Sequence, residues 1–238
     1  MRKPLKIQYE VPFSALVFIT LWQSCASNEI GDSADVSAKA VYKSYTITYT
    51  EGDKDIRCEC QFRFGGKNGT TLVLNSPAGI KLDGNAMHLD SNFLIGAFYY
   101  ANQAFDGFKG SHMIIYTDVN GLICPVTFTF NSKTCTTKLP ATIGAKDLPL
   151  NFTGLQNGSP VHVVIGDTSY NTADIQEIDT IANNQLVIAG NKLATLADGP
   201  LSINFSIEGN TAIAATTDEG GTMRLYYKLA GKNTLLKK

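Results

Sequence analysis

Between Ile56 and Phe64 the chain alternates without a break. Ile56, Cys58, Cys60, Phe62 and Phe64 form one set, and Arg57, Glu59, Gln61 and Arg63 form the other. A side-chain period of two puts these sets on opposite faces of an extended backbone. The segment therefore predicts a half-buried antiparallel strand with its apolar face inward. The same period starts earlier, at Val41, Tyr45, Ile47 and Tyr49, and the two runs are separated by the turn residues Glu51-Gly52-Asp53-Lys54.

The rest of the chain keeps this rhythm. His112 to Thr117 and Leu122 to Phe130 predict a hairpin across Asp118-Val119-Asn120-Gly121, where Asp first and Gly fourth suit a type I turn. Pro125 cannot donate a ladder hydrogen bond, so its strand belongs at a sheet edge. The stretch Asn131 to Gly144 is turn-rich and poor in apolar residues. After it, strands are expected at Leu148–Phe152, Val161–Ile165, Ile175–Ile178, Gln185–Ile188, Leu201–Ile207, Thr211–Thr216 and Met223–Leu229. Turn signals separate them, Glu208-Gly209-Asn210 among them, and Asn191 is placed as the cap of a single helical turn. Many short strands at this spacing predict an all-β fold of two immunoglobulin-like antiparallel β-sandwich domains, residues 37–132 and 133–238.

The start of the chain is different. Arg2, Lys3 and Lys6 outweigh Glu10, and Phe13 to Trp22 is an apolar run of ten residues. Crossing a bilayer takes about 20 apolar residues, so this run is too short for a membrane span and fits the core of a signal peptide, residues 1–24. Gln23-Ser24-Cys25 resembles the end of a bacterial lipoprotein signal, with the looser motif of Bacteroidetes lipoproteins. That resemblance implies lipid on Cys25 as the new N-terminus; cleavage after Ala26 is the alternative. Residues 25–36 are small and acidic (Glu29, Asp32, Asp35) and predict a flexible tether.

Without residues 1–24 the chain keeps 17 basic and 20 acidic groups, net −3, and loses its only Trp. That balance gives no basic face for nucleic acid. Cys58, Cys60, Cys124 and Cys135 are candidate disulfide partners in an exported chain, linking Cys58 or Cys60 to Cys124 or Cys135. Cys58 and Cys60 lie too far apart on one strand to bridge each other. The alternative is four buried thiols acting as small hydrophobes.

The signal, the acidic stretch and the hairpin HMIIYTDVNGLICPVTFTF together resemble Bacteroidetes surface lipoproteins with tandem immunoglobulin-like domains. The resemblance implies an exported outer-membrane lipoprotein at the cell surface. It also brings two candidate O-glycosylation sites, Ser33 in Asp32-Ser33-Ala34 and Thr180 in Asp179-Thr180-Ile181.

Catalytic motifs are absent from the sequence: no His-Glu-x-x-His, no Gly-x-Ser-x-Gly and no phosphate-binding loop. His88, His112 and His162 are scattered, and no metal or cofactor is expected. The aromatic cluster Tyr99, Tyr100, Phe105 and Phe108 is the candidate ligand-binding surface, for a sugar ring or a protein partner; its competing role is to plug the end of a sandwich. The functional expectation is a non-enzymatic, lipid-anchored envelope module for structure, adhesion or binding. Its alternatives are a glycan-binding accessory lipoprotein of a polysaccharide-uptake system and a hydrolase with paired carboxylates.

Overall fold

The computed structural model describes residues 28–167, 172–213 and 217–238. Residues 1–24, expected to be a signal peptide, and Cys25 lie outside them.

The strands, in chain order, begin with β1 (Ile30–Asp32), β2 (Val41–Thr50), β3 (Asp55–Phe64), β4 (Thr70–Val73), β5 (Gly79–Leu82), β6 (Asn85–Ala86) and β7 (His88–Asn92). Then come β8 (Gly96–Ala104), β9 (Gly110–Thr117), β10 (Ile123–Phe130), β11 (Thr134–Cys135), β12 (Thr142–Ile143) and β13 (Leu148–Thr153). The last are β14 (Pro160–Asp167), β15 (Ile175–Thr180), β16 (Gln185–Ile188), β17 (Gly199–Ala212), β18 (Gly221–Lys228) and β19 (Lys232–Leu236). One helical turn, α1 (Gly190–Leu193), precedes β17. The all-β class expected from the sequence is the class observed.

One long sheet runs in the order β1-β4-β3-β2-β18-β17-β14-β15, with β7-β8 added to β3 and β12-β19 added to β17. Over its N-terminal part lies a sheet β10-β9-β5-β6, and a third sheet, β11-β13-β16, belongs to the C-terminal half. β10 is an edge strand, as Pro125 requires. Gly121 N–H donates to the Asp118 carbonyl at 3.0 Å, closing the predicted turn. Gly121 sits at φ +80°, a conformation glycine adopts without strain.

The β3 alternation lands as predicted from Ile56 to Phe62 and reverses at the strand's end, where Arg63 is buried, its guanidinium donating to the Gly69 carbonyl at 2.7 Å, and Phe64 is exposed. Ile56, Cys58, Cys60 and Phe62 are fully buried, and Arg57 is exposed. Phe62 stacks on Tyr116 at 4.7 Å and meets Tyr45 and Tyr99 edge-on. These rings tie the two sheets of the N-terminal half together.

Three local expectations change. Residues 28–36 are not a free tether: β1 pairs in parallel with β4, and the Ser33 hydroxyl, 1% exposed, accepts from Asn75 N–H at 2.8 Å. Backbone pairing depends little on side-chain composition, which is why an acidic, small-residue segment can be ordered. Glu208-Gly209-Asn210 is not a turn but part of β17, with Gly209 opposite Leu225. The helical turn begins at Gly190 rather than behind an Asn191 cap, and the Gly190 N–H bonds the Asp147 carboxylate at 2.8 Å.

The long sheet crosses the expected boundary at 132/133. β17 and β18 form a hairpin whose far end leaves the C-terminal half. There β18 lies parallel to β2, from Gly221 opposite Lys43 to Lys228 opposite Thr50. The chain then continues as β19, back along β17.

Candidate binding site

The donated hairpin roofs a cleft between the two halves. Its walls are the end of β10 (Thr129, Phe130), Asn131 and Lys133, and the β13–β14 connection with Leu155, Gln156 and Ser159. Ile207, Glu208, Leu225, Tyr226 and Tyr227 come from the hairpin, and the cleft holds about 300 Å³. That is the lower end of the range in which small ligands bind.

The aromatic part of the cleft is built by alternation. Tyr227 points to the inner side of β18 and Phe130 to the inner side of β10, so they meet at 5.9 Å, nearly parallel. Tyr49 and Phe105 stack beside them at 4.4 Å. The Lys133 ammonium lies 5.1 Å from the Tyr227 ring and donates to the Asn131 carbonyl at 3.1 Å. Burial lowers the Lys133 pKa and pushes the Tyr227 phenol up to about 12, so both groups are held in a drier place than the open surface.

Glu208 is the carboxylate of the cleft lining among the described residues. Hydrogen bonds from Arg224 at 2.6 Å and Asn210 at 2.8 Å hold its pKa below the usual carboxylate range. A carboxylate kept ionised by a paired guanidinium is poorly suited to donate a proton. The cleft therefore rests on a floor of buried rings and offers the half-buried Tyr226, the amides of Asn131 and Gln156 and one cation, but no acid–base pair.

A second arrangement has the look of catalytic geometry. His112 Nδ1 lies 2.7 Å from the Asp83 carboxylate, whose other oxygen accepts the Met113 N–H. However, Phe108 stacks on the imidazole at 3.6 Å, Phe128 covers it at 5.4 Å, and His112 is 9% exposed. No substrate reaches this ring, and the pair serves to clamp β5 to β9. Among the described residues no group of three His, Cys, Asp or Glu side chains is placed to hold a metal ion.

The aromatics nominated from sequence do not form one cluster. Tyr99 is buried, and its hydroxyl accepts the Leu74 N–H at 2.7 Å. Tyr100 points to the opposite face of β8, where the Arg57 guanidinium stacks on it at 4.7 Å and His88 lies 5.7 Å away. Phe108 is buried against His112, and Phe105 is half-buried against Tyr49. Cys58, Cys60, Cys124 and Cys135 are all buried and free, so the candidate bridge is not made in this structure. Burial pushes the Cys58 thiol up to about 12 and Cys60 well above its usual range. Ser33 is buried and bonded, whereas Thr180 is exposed at the end of β15.

Sequence reasoning missed Lys133, Gln156, Glu208 and Tyr226. They come from four separate segments with no shared spacing, and only the fold assembles them.

No protein-family model matches the chain. No curated protein matches it either. Among solved structures, fibronectin(III)-like modules of CbhA from Clostridium thermocellum are similar at 13% identity, covering 80% of this chain and 95% of that one, with a TM-score of 0.25. The human OSCAR ligand-binding domain is similar at 12% identity over 77% of this chain and 97% of its own, with a TM-score of 0.24. A Bacteroides ovatus protein, SGBP-B of a mixed-linkage glucan utilization locus, solved with a mixed-linkage heptasaccharide, shares 11% identity over 91% of this chain and 69% of that one, at a TM-score of 0.20. Likeness at this level carries no inference about what the chain binds.

Proposed function

We propose that this protein is a non-enzymatic, lipid-anchored module of the bacterial cell envelope that binds a partner in the cleft under the β17–β18 hairpin. In this reading residues 1–24 are a signal peptide, Cys25 carries the lipid, and the sandwiches divide near residues 132/133. The cell-surface outer membrane is its proposed location. The observation that carries the binding role is the cleft itself. It is preformed, has the stacked Phe130 and Tyr227 rings in its wall, and carries convergent polar groups without an acid–base pair.

A second, narrower reading is a glycan-binding accessory of a polysaccharide-uptake system. It is favoured by the half-buried Tyr226 beside Gln156, Asn131 and Lys133, polar groups that suit the hydroxyl rim of a sugar ring.

Native affinity electrophoresis through gels containing soluble polysaccharides tests both, with product release from each polysaccharide measured in parallel. Retardation without product, weakened in Gln156→Ala and Tyr226→Ala, is the glycan-binding outcome. Product release that depends on the protein would sink the non-enzymatic reading. Mobility unchanged by every polysaccharide would leave the first reading with a protein partner.

A further inference from the structure

The end of the N-terminal sandwich where β2 begins and β3 finishes presents apolar side chains from three separate connections. Phe64 closes β3. The β7–β8 connection carries Phe93 at 80% exposure, Leu94 at 71% and Ile95, and the β9–β10 turn carries Leu122 and Ile123. These six are half of the twelve exposed large apolar side chains among the described residues. Strand direction places them at one end: Tyr116, near the β9–β10 turn, stacks on Phe62, near the end of β3. Exposed apolar groups scattered singly are ordinary, but a concentration at one end marks a surface that meets something apolar.

The most exposed tip is held outward. Asn92 accepts both the Leu94 and Ile95 N–H groups at 3.0 Å, and Gln61 donates to the Ile95 carbonyl at 2.7 Å. Gly96, at φ +77°, lets β8 start directly against Thr71, where a Cβ would lie 2.3 Å from the hydroxyl.

The chain enters the fold at this same place. The Asn28 amide donates to the Phe93 carbonyl, and the Thr71 N–H and hydroxyl both bond the Glu29 carbonyl, at 2.9 and 2.7 Å. Asn28 follows Cys25 by three positions, a reach of at most about 11 Å when extended. The charged groups nearby are mixed, with Lys39 and Lys67 against Glu29, Asp218 and Glu219, so this end carries no strong attraction to an anionic surface.

We infer that the Phe93–Ile95 tip, flanked by Phe64 and Leu122–Ile123, inserts into the lipid surface to which Cys25 is tethered. This rests on the lipid-anchor reading above. A lipid chain tethered within about 11 Å of Asn28, and an apolar wedge beside Asn28, act as two contacts with one bilayer. They also fix an orientation: the N-terminal sandwich stands on its tip, and the binding cleft faces away from the bilayer.

The test uses full-length protein expressed in a Gram-negative host, in a Trp22→Phe background so that an introduced Trp is the only one. Purified Phe93→Trp protein is reconstituted into phosphatidylethanolamine and phosphatidylglycerol vesicles whose acyl chains are brominated near the headgroup. Emission at position 93 should be at least halved relative to unbrominated vesicles. Ile178→Trp, on the exposed edge strand at the far side of the long sheet, should be unaffected. Unquenched Phe93→Trp on vesicle-bound protein overturns the inference. So does quenching lost on dilution together with a dimer that dissociates in Phe93→Asp, because a second copy would then cover the tip. The mass of the N-terminal peptide reads lipidation separately. Without lipid, vesicle-dependent quenching at 93 still supports the wedge, and its absence still overturns it.

Discussion

In the N-terminal half, Tyr45, Phe62, Tyr99 and Tyr116 meet at the centre of the sandwich. The matching layer of the C-terminal half is aliphatic: Val161, Val163, Ile165, Leu201 and Ile203 are fully buried around the Phe152–Phe205 pair. Both layers exclude water, yet they do so on different terms. Rings bring hydroxyls with them. Among the described residues Tyr45 Oη, Tyr116 Oη and His112 Nε2 of this half have no protein partner, against Glu177 Oε1 in the other half. Burying an unpartnered polar atom costs about 1–3 kcal/mol, so the ring-built half gives back part of what its larger apolar area supplies.

Core truncation tests whether this contrast stays within each half. Phe62→Ala should cost about 3–5 kcal/mol and Ile203→Ala about 2–5 kcal/mol in urea unfolding followed by circular dichroism. Because β18 hydrogen-bonds to both β17 and β2, each substitution should move one shared transition. Two transitions, each answering to its own substitution, would show halves that fold independently on either side of 132/133.

Alkali separates the halves more finely. Burial raises the Cys58, Cys60, Tyr45, Tyr99 and Tyr116 pKa values, so the folded state keeps protons that the unfolded chain releases. The unfolded state then binds fewer protons, and stability falls as pH rises above 9, the ordinary thiol value, toward about 12 for Cys58. Lys43 and Lys133, lowered by burial, act in the opposite sense. The comparison of wild type with Cys58→Ala isolates one thiol. Above pH 9 the wild type should lose ground by about 1.4 kcal/mol per pH unit. A difference that stays constant from pH 8 to 11 would mean that Cys58 is not buried as described.

The smallest effect concerns single hydroxyls. Tyr45→Phe should leave stability unchanged or raise it by about 1 kcal/mol, since an unpartnered group is removed. Tyr49→Phe should lower it by about 1 kcal/mol, because that hydroxyl donates to the Asp53 carbonyl and accepts the Gly52 N–H. Equal losses in both would show that Tyr45 has a partner after all.

The residues differ in how much of this they announce. β3 and the β9–β10 turn are readable because their signals are local: an unbroken alternation, Asp and Gly at fixed offsets, and a proline that forbids a ladder bond. The same alternation sends Tyr99 and Tyr100 to opposite faces, so their adjacency in sequence never implied one surface. Nothing local says that β18 lies beside β2, because parallel strands are joined through distant chain and leave no turn motif. The cleft inherits that silence, since its hairpin wall is placed by the β2–β18 pairing. The expected signal peptide and the lipid on Cys25 are read from local sequence alone, and the order of residues 28–36 comes from the β1–β4 pairing and the Ser33–Asn75 bonds, which composition does not encode.

That pairing also sets a timetable. β2 leaves the ribosome early, and the strand that completes its sheet is among the last to follow. Until Gly221–Lys228 emerges, the inner edge of β2 is an open row of backbone donors and acceptors, the feature that recruits stray strands. A chain that cannot close its first half before its end arrives stays unfinished throughout its synthesis, and any truncation before Gly221 leaves that edge permanently exposed.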